Sequence, residues 1–204
     1  QDYTSINIKE IMFDESSENL NQTNITQISI FAASMIIFKC IEYETSFNEQ
    51  DISFMLGHSL GEYSALAASK KLNIKDCALI LKKRGELMNS AVEPNLTSMA
   101  AIIGLNSNQI NKIIVENNLD IEIANDNSPL QVVISGNKNN INKSEQVLKQ
   151  NGAKKFVLLN VSAAFHSKYM LKSQEILKNN LIDLNFNSNK IKIVSNYNAK
   201  SSND

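Results

Sequence analysis

The sequence has few of the residues from which metal centres and disulfide frameworks are built. Its 204 residues include two cysteines, Cys40 and Cys77, two histidines and no tryptophan. Both cysteines lie in apolar, helix-like patterns, so we expect buried thiols in a reducing compartment rather than a disulfide. A zinc cluster is not expected from so small a set of ligands, and no metal is predicted.

An excess of charge of one sign and long apolar runs are also missing. The 20 basic and 21 acidic side chains nearly cancel, which predicts neither nucleic-acid binding nor electrostatic attachment to a membrane. The longest apolar run, residues 28–40, is interrupted by Ser29, Ser34 and Lys39, so we expect it to be too short and too polar to span a bilayer. The first residues show no signal peptide.

The remaining composition is that of a globular protein with a sizeable core. Hydrophobic residues make up 43% of the chain and charged residues 20%, and periodicity predicts an α/β protein. Residues 26, 30, 33 and 37 are expected on one face of the second helix. The elements predicted for the first part of the chain are four helices and one buried strand, at residues 5–13, 24–42, 52–56 (the strand), 60–69 and 73–90.

The pattern changes in the middle of the chain, between residues 97 and 162. Strand, helix, two strands, helix and strand follow one another there, which is the ferredoxin-like β-α-β-β-α-β order. We therefore predict a ferredoxin-like subdomain at 97–162, inserted into a larger α/β core made of residues 1–96 and 163–204. A helix at 167–180 and a strand at 191–194 complete that core.

A serine lies on a turn between the predicted strand 52–56 and the helix that follows it. Residues 57–61, Gly-His-Ser-Leu-Gly, fit the pattern G-x-S-x-G in the context that this motif requires. Glycines permit a sharp turn, Ser59 would stand at the positive end of the helix, and the N–H of Leu60 would face a developing oxyanion. The alternative is a glycine-rich turn with a chance serine.

A nucleophilic serine needs a base, and the chain offers two histidines. His58 is adjacent to Ser59 on the tight turn, so we expect its side chain to point elsewhere and to line a pocket or support the structure. His166 follows the last strand of the predicted subdomain, where catalytic groups are often found. His166 is the better candidate base, although a lone histidine is often structural.

The chain has one arginine among its 20 basic residues. Arg84 lies on the apolar stripe of its predicted helix, where an unpaired charge is costly. Either a carboxylate from elsewhere in the fold pairs with it, or the substrate supplies one, because a guanidinium binds a carboxylate through two parallel hydrogen bonds. The stripe consists of Cys77, Ile80, Leu81, Arg84, Leu87 and Met88.

Several segments in order resemble the malonyl-CoA:acyl carrier protein transacylase family of type II fatty acid synthesis. They are GHSLGEYSALAAS, KKRGELM, MAAIIGL and IANDNSPLQVVISG, and the resemblance runs from LNQTNITQ at 20–27 to IVSNYNAK at 193–200. It implies an α/β-hydrolase-like core with a ferredoxin-like subdomain. It also implies transfer of malonyl from malonyl-CoA to acyl carrier protein through a malonyl-serine, without a cofactor.

The resemblance implies roles for individual residues. Ser59 matches the nucleophile, His166 the catalytic base, Arg84 the arginine that binds the malonyl carboxylate, and Leu60 a donor of an oxyanion N–H. Asn125 matches an asparagine counted among the active-site residues.

Three further residues are predicted to line the substrate pocket. Phe165 stands in an Ala-Ala-Phe-His segment that resembles the form found in malonyl-selective domains, where a bulky side chain disfavours a methyl branch. Met88, on the arginine stripe, and His58, beside the serine, are the other two.

The departures from the family lie at the two ends of the chain. The G-Q-G-x-Q and G-P-G motifs of the family are not found in the sequence, so we expect this chain to be part of a longer protein. The alternatives are a stand-alone polyketide-type acyltransferase, a serine esterase or thioesterase, and a non-catalytic scaffold that binds the carrier. We predict a monomer, located in a plastid or in a bacterial cytoplasm.

Overall fold

The computed structural model of the protein describes residues 3–14, 18–46 and 48–202. The chain divides into two compact units. The first consists of Gln1–Glu86 and Leu177–Asp204, and the second of Leu87–Ile176.

The first unit combines helices with a small sheet. Strand β1 (Phe54–Leu56) pairs in parallel with β6 (Lys192–Val194), and β6 pairs antiparallel with β7 (Ser201–Ser202). Its helices are α1 (Ile8–Phe13), α2 (Thr23–Glu44), α3 (Gly61–Ala68), most of α4 (Ile74–Asn89) and the end of α7 (Leu171–Ile182). Short 3₁₀ turns occur at Glu18–Asn21 and Glu49–Asp51.

Apolar side chains of three helices form the core of the first unit. Phe31 and Met35 of α2, Ala67 of α3, and Cys77 and Leu81 of α4 pack together. Helix α4 begins at a side-chain cap, because Asn73 Oδ1 accepts the N–H of Asp76 at 2.8 Å and Asn73 Nδ2 donates to the Asp76 carboxylate at 2.6 Å. The strand–turn–helix order around Ser59 is confirmed.

Three expectations about burial in this unit are wrong. Strand β1 is not buried, since Phe54 is 50% and Leu56 70% exposed. Cys40 is exposed, and Cys77 alone is a buried thiol. The predicted face of α2 is also exposed at Ile30 and Ile37. Relative to the prediction, the helix is rotated about its axis. Residues 25, 28, 31 and 35 are buried, together with the polar Gln27.

One described helix, α2, is long and apolar enough to cross a membrane by length and composition. The expectation that this segment is too short and too polar is therefore not met. The same test is passed by core helices of soluble proteins, and α2 packs against α3 and buries six of its residues. We interpret α2 as a packing helix of this unit.

The second unit is built around a four-stranded antiparallel sheet. Its order is β3-β4-β2-β5, formed by Ile121–Ser128, Gln131–Asn137, Thr97–Ile103 and Lys155–Leu158. Helix α5 (Ser107–Glu116) connects β2 to β3, and α6 (Lys138–Gln150) connects β4 to β5. The predicted element order of this region is confirmed, with element ends shifted by a few residues.

The core of the second unit is closed and apolar. Ile102, Ile110, Val132, Ile134 and Ile141 have no exposed surface. A capping box starts α5, in which Asn106 Oδ1 accepts the N–H of Gln109 at 2.9 Å and the Gln109 side chain accepts the N–H of Asn106 at 2.9 Å. The two central strands, β2 and β4, are buried along nearly their whole length.

Candidate active site

Ser59 lies on the tight turn between β1 and α3, with its backbone in the left-handed region at φ +53°. That conformation is unfavourable for a residue with a side chain. The turn depends on Gly57, because a Cβ at this position would lie 2.0 Å from the backbone of Gly61. Close approach of the two glycine backbones thus gives the sharp bend predicted from the G-x-S-x-G pattern.

The backbone around Ser59 is bound by a side chain from the end of β6. The N–H of Ser59 donates to Oδ1 of Asn196 at 2.7 Å, and Nδ2 of Asn196 donates to the carbonyl of Gly57 at 2.7 Å. The N–H of Asn196 donates to the Glu62 carboxylate at 3.3 Å. The side-chain amide of Asn196 therefore joins the backbone of Gly57 to the backbone of Ser59.

Arg84 on α4 reaches the serine hydroxyl. Its Nη2 donates to Oγ of Ser59 at 2.9 Å, and its Nη1 donates to Oε1 of Gln27 at 2.5 Å. Within residues 3–14, 18–46 and 48–202 no carboxylate forms an ion pair with this guanidinium. The predicted pairing with a carboxylate of the fold is thus not seen in the described part of the chain.

Arg84 is half-buried and lies close to an aromatic ring. Its guanidinium lies 6.0 Å from the centre of the Tyr63 ring. Burial lowers the pKa of Arg84, while Tyr63 and Glu62 oppose the shift. Burial also raises the pKa of Tyr63, and the nearby guanidinium partly offsets it. An anion that binds Arg84 would therefore interact with a cation that is partly shielded from water, where the attraction between opposite charges is stronger than in bulk solvent.

Close packing of α2 and α4 positions the partner of Arg84. A Cβ on Gly85 would lie 2.5 Å from the Cα of Asn24, so only glycine permits this approach. Gln27 is 4% exposed and fixes one side of the guanidinium. Sequence reasoning missed Gln27 and Asn196. The available signals were a polar residue within an apolar helix and an asparagine in the IVSNYNAK segment.

Leu60 and His58 flank the serine. The side chain of Leu60 packs on the helical core, and in the described part of the chain its N–H has no acceptor among the turn and loop hydrogen bonds. His58 is exposed. The structure brings Ser59, Leu60, His58 and Arg84 together within the first unit.

The other predicted site residues lie in the second unit. His166 is exposed and, like Ser59, has a left-handed backbone, at φ +56°. The residues before it are anchored, because Ala163 and Ala164 are fully buried and the N–H of Ala164 donates to Oγ1 of Thr97 at 2.9 Å. Oγ of Ser167 donates to the Ala164 carbonyl at 2.6 Å.

Phe165, Asn125 and Met88 are half-buried in this unit. Phe165 packs against Met99, Ala101 and Val133. Asn125, on β3, pairs with Val133 on β4, next to register shifts that interrupt the β3–β4 ladder. Such irregularities redirect side chains at the ends of strands.

The described geometry suits acyl-group chemistry. A strained turn presents a hydroxyl at the start of a helix, beside the backbone N–H of Leu60, a type of group that can bind an oxyanion. A half-buried guanidinium, held by a neutral amide, contacts the same hydroxyl. No cluster of three or more metal-ligating side chains is found in the described part of the chain.

Comparisons with known proteins agree on one family. A family model described as the acyl transferase domain matches residues 1–204. The polyketide biosynthesis malonyl CoA-acyl carrier protein transacylase PksC of Bacillus subtilis (strain 168) is 36% identical over 197 residues, covering 95% of this chain and 66% of that protein. The malonyl CoA-acyl carrier protein transacylase of the same organism is 35% identical over 198 residues, covering 94% and 60%.

A solved structure agrees with these relatives. The acyl-carrier-protein-S-malonyltransferase from Bartonella henselae superposes with a TM-score of 0.91 and 36% identity, covering all of this chain and 65% of that chain. The chain thus spans about two thirds, or slightly less, of the length of each of these three proteins.

Proposed function

Because the chain belongs to the acyl transferase domain family, we propose that its protein transfers malonyl from malonyl-CoA to the phosphopantetheine thiol of an acyl carrier protein, through a malonyl ester of Ser59. The observation that carries this proposal is the hydrogen bond from Arg84 to Oγ of Ser59. A nucleophile and a cation that share one contact can engage both ends of a small acidic acyl group.

The charge of Arg84 supports malonyl as the acyl group. In a malonyl ester of Ser59 the free carboxylate is one methylene away from the reacting carbonyl. Gln27 holds Nη1 through a neutral oxygen, and within the described part of the chain no carboxylate forms an ion pair with the guanidinium. A carboxylate that displaces the Ser59 contact would gain a charge-assisted hydrogen bond in a half-buried place.

The proposed reaction has two half-reactions. His166 accepts the proton of Ser59 as Oγ attacks the thioester carbonyl, and the N–H of Leu60 binds the oxyanion. The tetrahedral intermediate expels the thiolate of coenzyme A, which takes the proton from His166. The carrier thiol then attacks the acyl-serine with His166 again as base, and Ser59 recovers its proton.

The remaining assignments rest on the sequence. We infer from the family resemblance that Phe165 disfavours a methyl-branched acyl group and that Asn125 belongs to the active site. From their positions on the Arg84 stripe and beside Ser59, we infer that Met88 and His58 line the substrate pocket. No cofactor takes part in the reaction that we propose.

The partner that we propose is an acyl carrier protein, since the relatives named above are acyl carrier protein transacylases. One of them is a polyketide enzyme, at nearly the same identity as the other. A polyketide carrier is therefore a second candidate beside a carrier of fatty acid synthesis. These relatives are bacterial, which supports a bacterial cytoplasm, whereas the plastid and the monomer stay predictions.

The finer description of the fold is also a proposal. The β-α-β-β-α-β order and the sheet order β3-β4-β2-β5 support a ferredoxin-like subdomain at residues 97–162. The parallel pair β1–β6 beside the serine turn supports an α/β-hydrolase-like core made of residues 1–96 and 163–204.

Acylation of Ser59 tests the proposed function. The full-length protein is incubated with malonyl-CoA, and peptide mass spectrometry is expected to find one malonyl group on Ser59 and none in the Ser59→Ala variant. A malonyl label that persists in that variant contradicts the assignment. Addition of a phosphopantetheinylated carrier is expected to remove the label as malonyl-carrier. Rapid loss of the label to water without a carrier would instead indicate an esterase or thioesterase.

A further inference from the structure

The side-chain amide of Asn196 bridges the two peptide groups on either side of the nucleophile turn. Its Oδ1 accepts the N–H of Ser59 and its Nδ2 donates to the carbonyl of Gly57, both at 2.7 Å. A backbone N–H can only donate and a carbonyl can only accept, so the partners determine which end of the amide is which. Both a donor and an acceptor are needed at this position.

Strand pairing explains how an asparagine so distant in sequence reaches the turn. Strands β1 and β6 are parallel neighbours, with Leu56 opposite Val194. Their carboxyl ends meet at one edge of the sheet, where Gly57 follows β1 and Asn196 follows β6. The backbone N–H of Asn196 also donates to Glu62 at the start of α3, which ties the same residue to the helix after the serine.

The conformation of Ser59 needs such a constraint. A left-handed backbone at a residue other than glycine persists only where the surrounding structure determines it. Asn196 binds the N–H of the strained residue itself. It thereby leaves the next N–H, that of Leu60, as the donor available for an oxyanion.

We propose that Asn196 is a positioning residue for the Ser59 nucleophile, an inference that rests on the proposed function. The Asn196 amide holds the turn in its strained conformation, so that Oγ and the Leu60 N–H meet the acyl carbonyl together. Its side-chain amide binds backbone groups of the turn, so it acts through the position of Ser59. Its effect is on the rate at which Ser59 is acylated.

Asn196→Asp tests this role through a pH profile. The variant keeps an oxygen that accepts the N–H of Ser59, but an ionised carboxylate places a second oxygen against the carbonyl of Gly57. Protonation restores a donor there. The ratio of the variant's acylation rate to the wild-type rate is therefore expected to rise about tenfold as pH falls from about 8 to about 5. The other titratable or charged groups around the turn, Glu62, His58 and Arg84, are common to both proteins.

Two further variants of the full-length protein complete the test. Asn196→Ala removes both hydrogen bonds and is expected to slow acylation roughly ten- to a hundredfold. Asn198→Asp is the matched control, because Asn198 Oδ1 accepts the local N–H of Lys200 at 2.9 Å rather than a group of the serine turn, and its rate is expected to follow the wild type at every pH. Circular dichroism establishes that each variant is folded.

The outcomes separate this inference from the proposed function. A folded Asn196→Ala that is acylated at the wild-type rate, or a pH-independent rate ratio for Asn196→Asp, overturns the positioning role. Acylation is followed with malonyl-CoA and, in parallel, with a fluorophosphonate probe that needs only a reactive serine. Wild type that reacts with the probe but not with malonyl-CoA refutes the proposed function, and the probe then still reports on Asn196.

Discussion

The turn at Ser59 and the loop at His166 have nearly the same backbone strain but are stabilised differently. Both residues are left-handed, at φ +53° and +56°. The serine turn is held by hydrogen bonds from a distant, exposed asparagine and by contact between two glycines. The histidine loop is held by fully buried alanines and a buried threonine hydroxyl. We therefore expect the backbone of the turn to depend on Asn196 and on the contact between Gly57 and Gly61, and the backbone of the loop to depend on the buried hydrogen bond between Ala164 and Thr97.

The largest expected effect is on the rate of Ser59 acylation, and it distinguishes the two histidines. His166→Ala removes the proposed base and is expected to lower the rate of Ser59 acylation by roughly 10²- to 10⁴-fold. His58→Ala is the comparison, since it removes an exposed imidazole beside the serine and leaves the proposed base in place, and it is expected to lose much less of the rate. Stopped-flow release of coenzyme A measures both. Equal losses in the two variants would contradict the assignment of His166 as base.

Arg84→Ala comes next in size. Loss of a charge-assisted hydrogen bond of about 1.5–3 kcal/mol is expected to lower kcat/KM for malonyl-CoA by roughly ten- to a hundredfold. Neutral acyl groups such as acetyl are expected to lose less or to gain. Arg84→Lys keeps the charge without the fork and is expected to fall between the two. An unchanged preference for malonyl in the alanine variant would mean that the carboxylate is bound elsewhere.

A pair of glycines tests whether steric contact holds the serine turn. Gly57→Ala places a Cβ 2.0 Å from the backbone of Gly61, and we expect it to lower the free energy of unfolding by about 3 kcal/mol. Gly61→Ala meets nothing within 4 Å and, in the first turn of α3, is expected to be neutral or slightly stabilising. Urea denaturation compares them. Similar losses would show that the close approach at Gly57 is unimportant.

The smallest effect is expected for Thr97, the residue whose hydroxyl anchors the loop before His166. Thr97→Val leaves the buried N–H of Ala164 without its acceptor and is expected to lower the free energy of unfolding by about 1–2 kcal/mol. Thr97→Ser retains the hydroxyl and loses a methyl group. Hydrogen exchange of the Ala164 amide is expected to speed up in the valine variant only. Faster exchange in both variants would show that packing, and not the hydrogen bond, anchors the loop.

Local patterns in the sequence predict the elements well. The strand, glycine turn and helix around Ser59, the cap at Asn73 and the β-α-β-β-α-β order all follow from nearest neighbours and periodicity. Burial was predicted less well. Cys40, Phe54 and Leu56 are exposed because burial depends on which neighbour covers a face, and apolar composition does not identify that neighbour.

The sequence by itself determined where a serine would be presented on a sharp turn and that the single arginine would lie on the apolar side of its helix. Tertiary structure alone decided what those residues bind. Gln27 and Arg84 are 57 residues apart, and Asn196 and Ser59 are 137 apart. Such contacts depend on close packing of α2 and α4 and on the parallel pairing of β1 with β6, and no local periodicity encodes them.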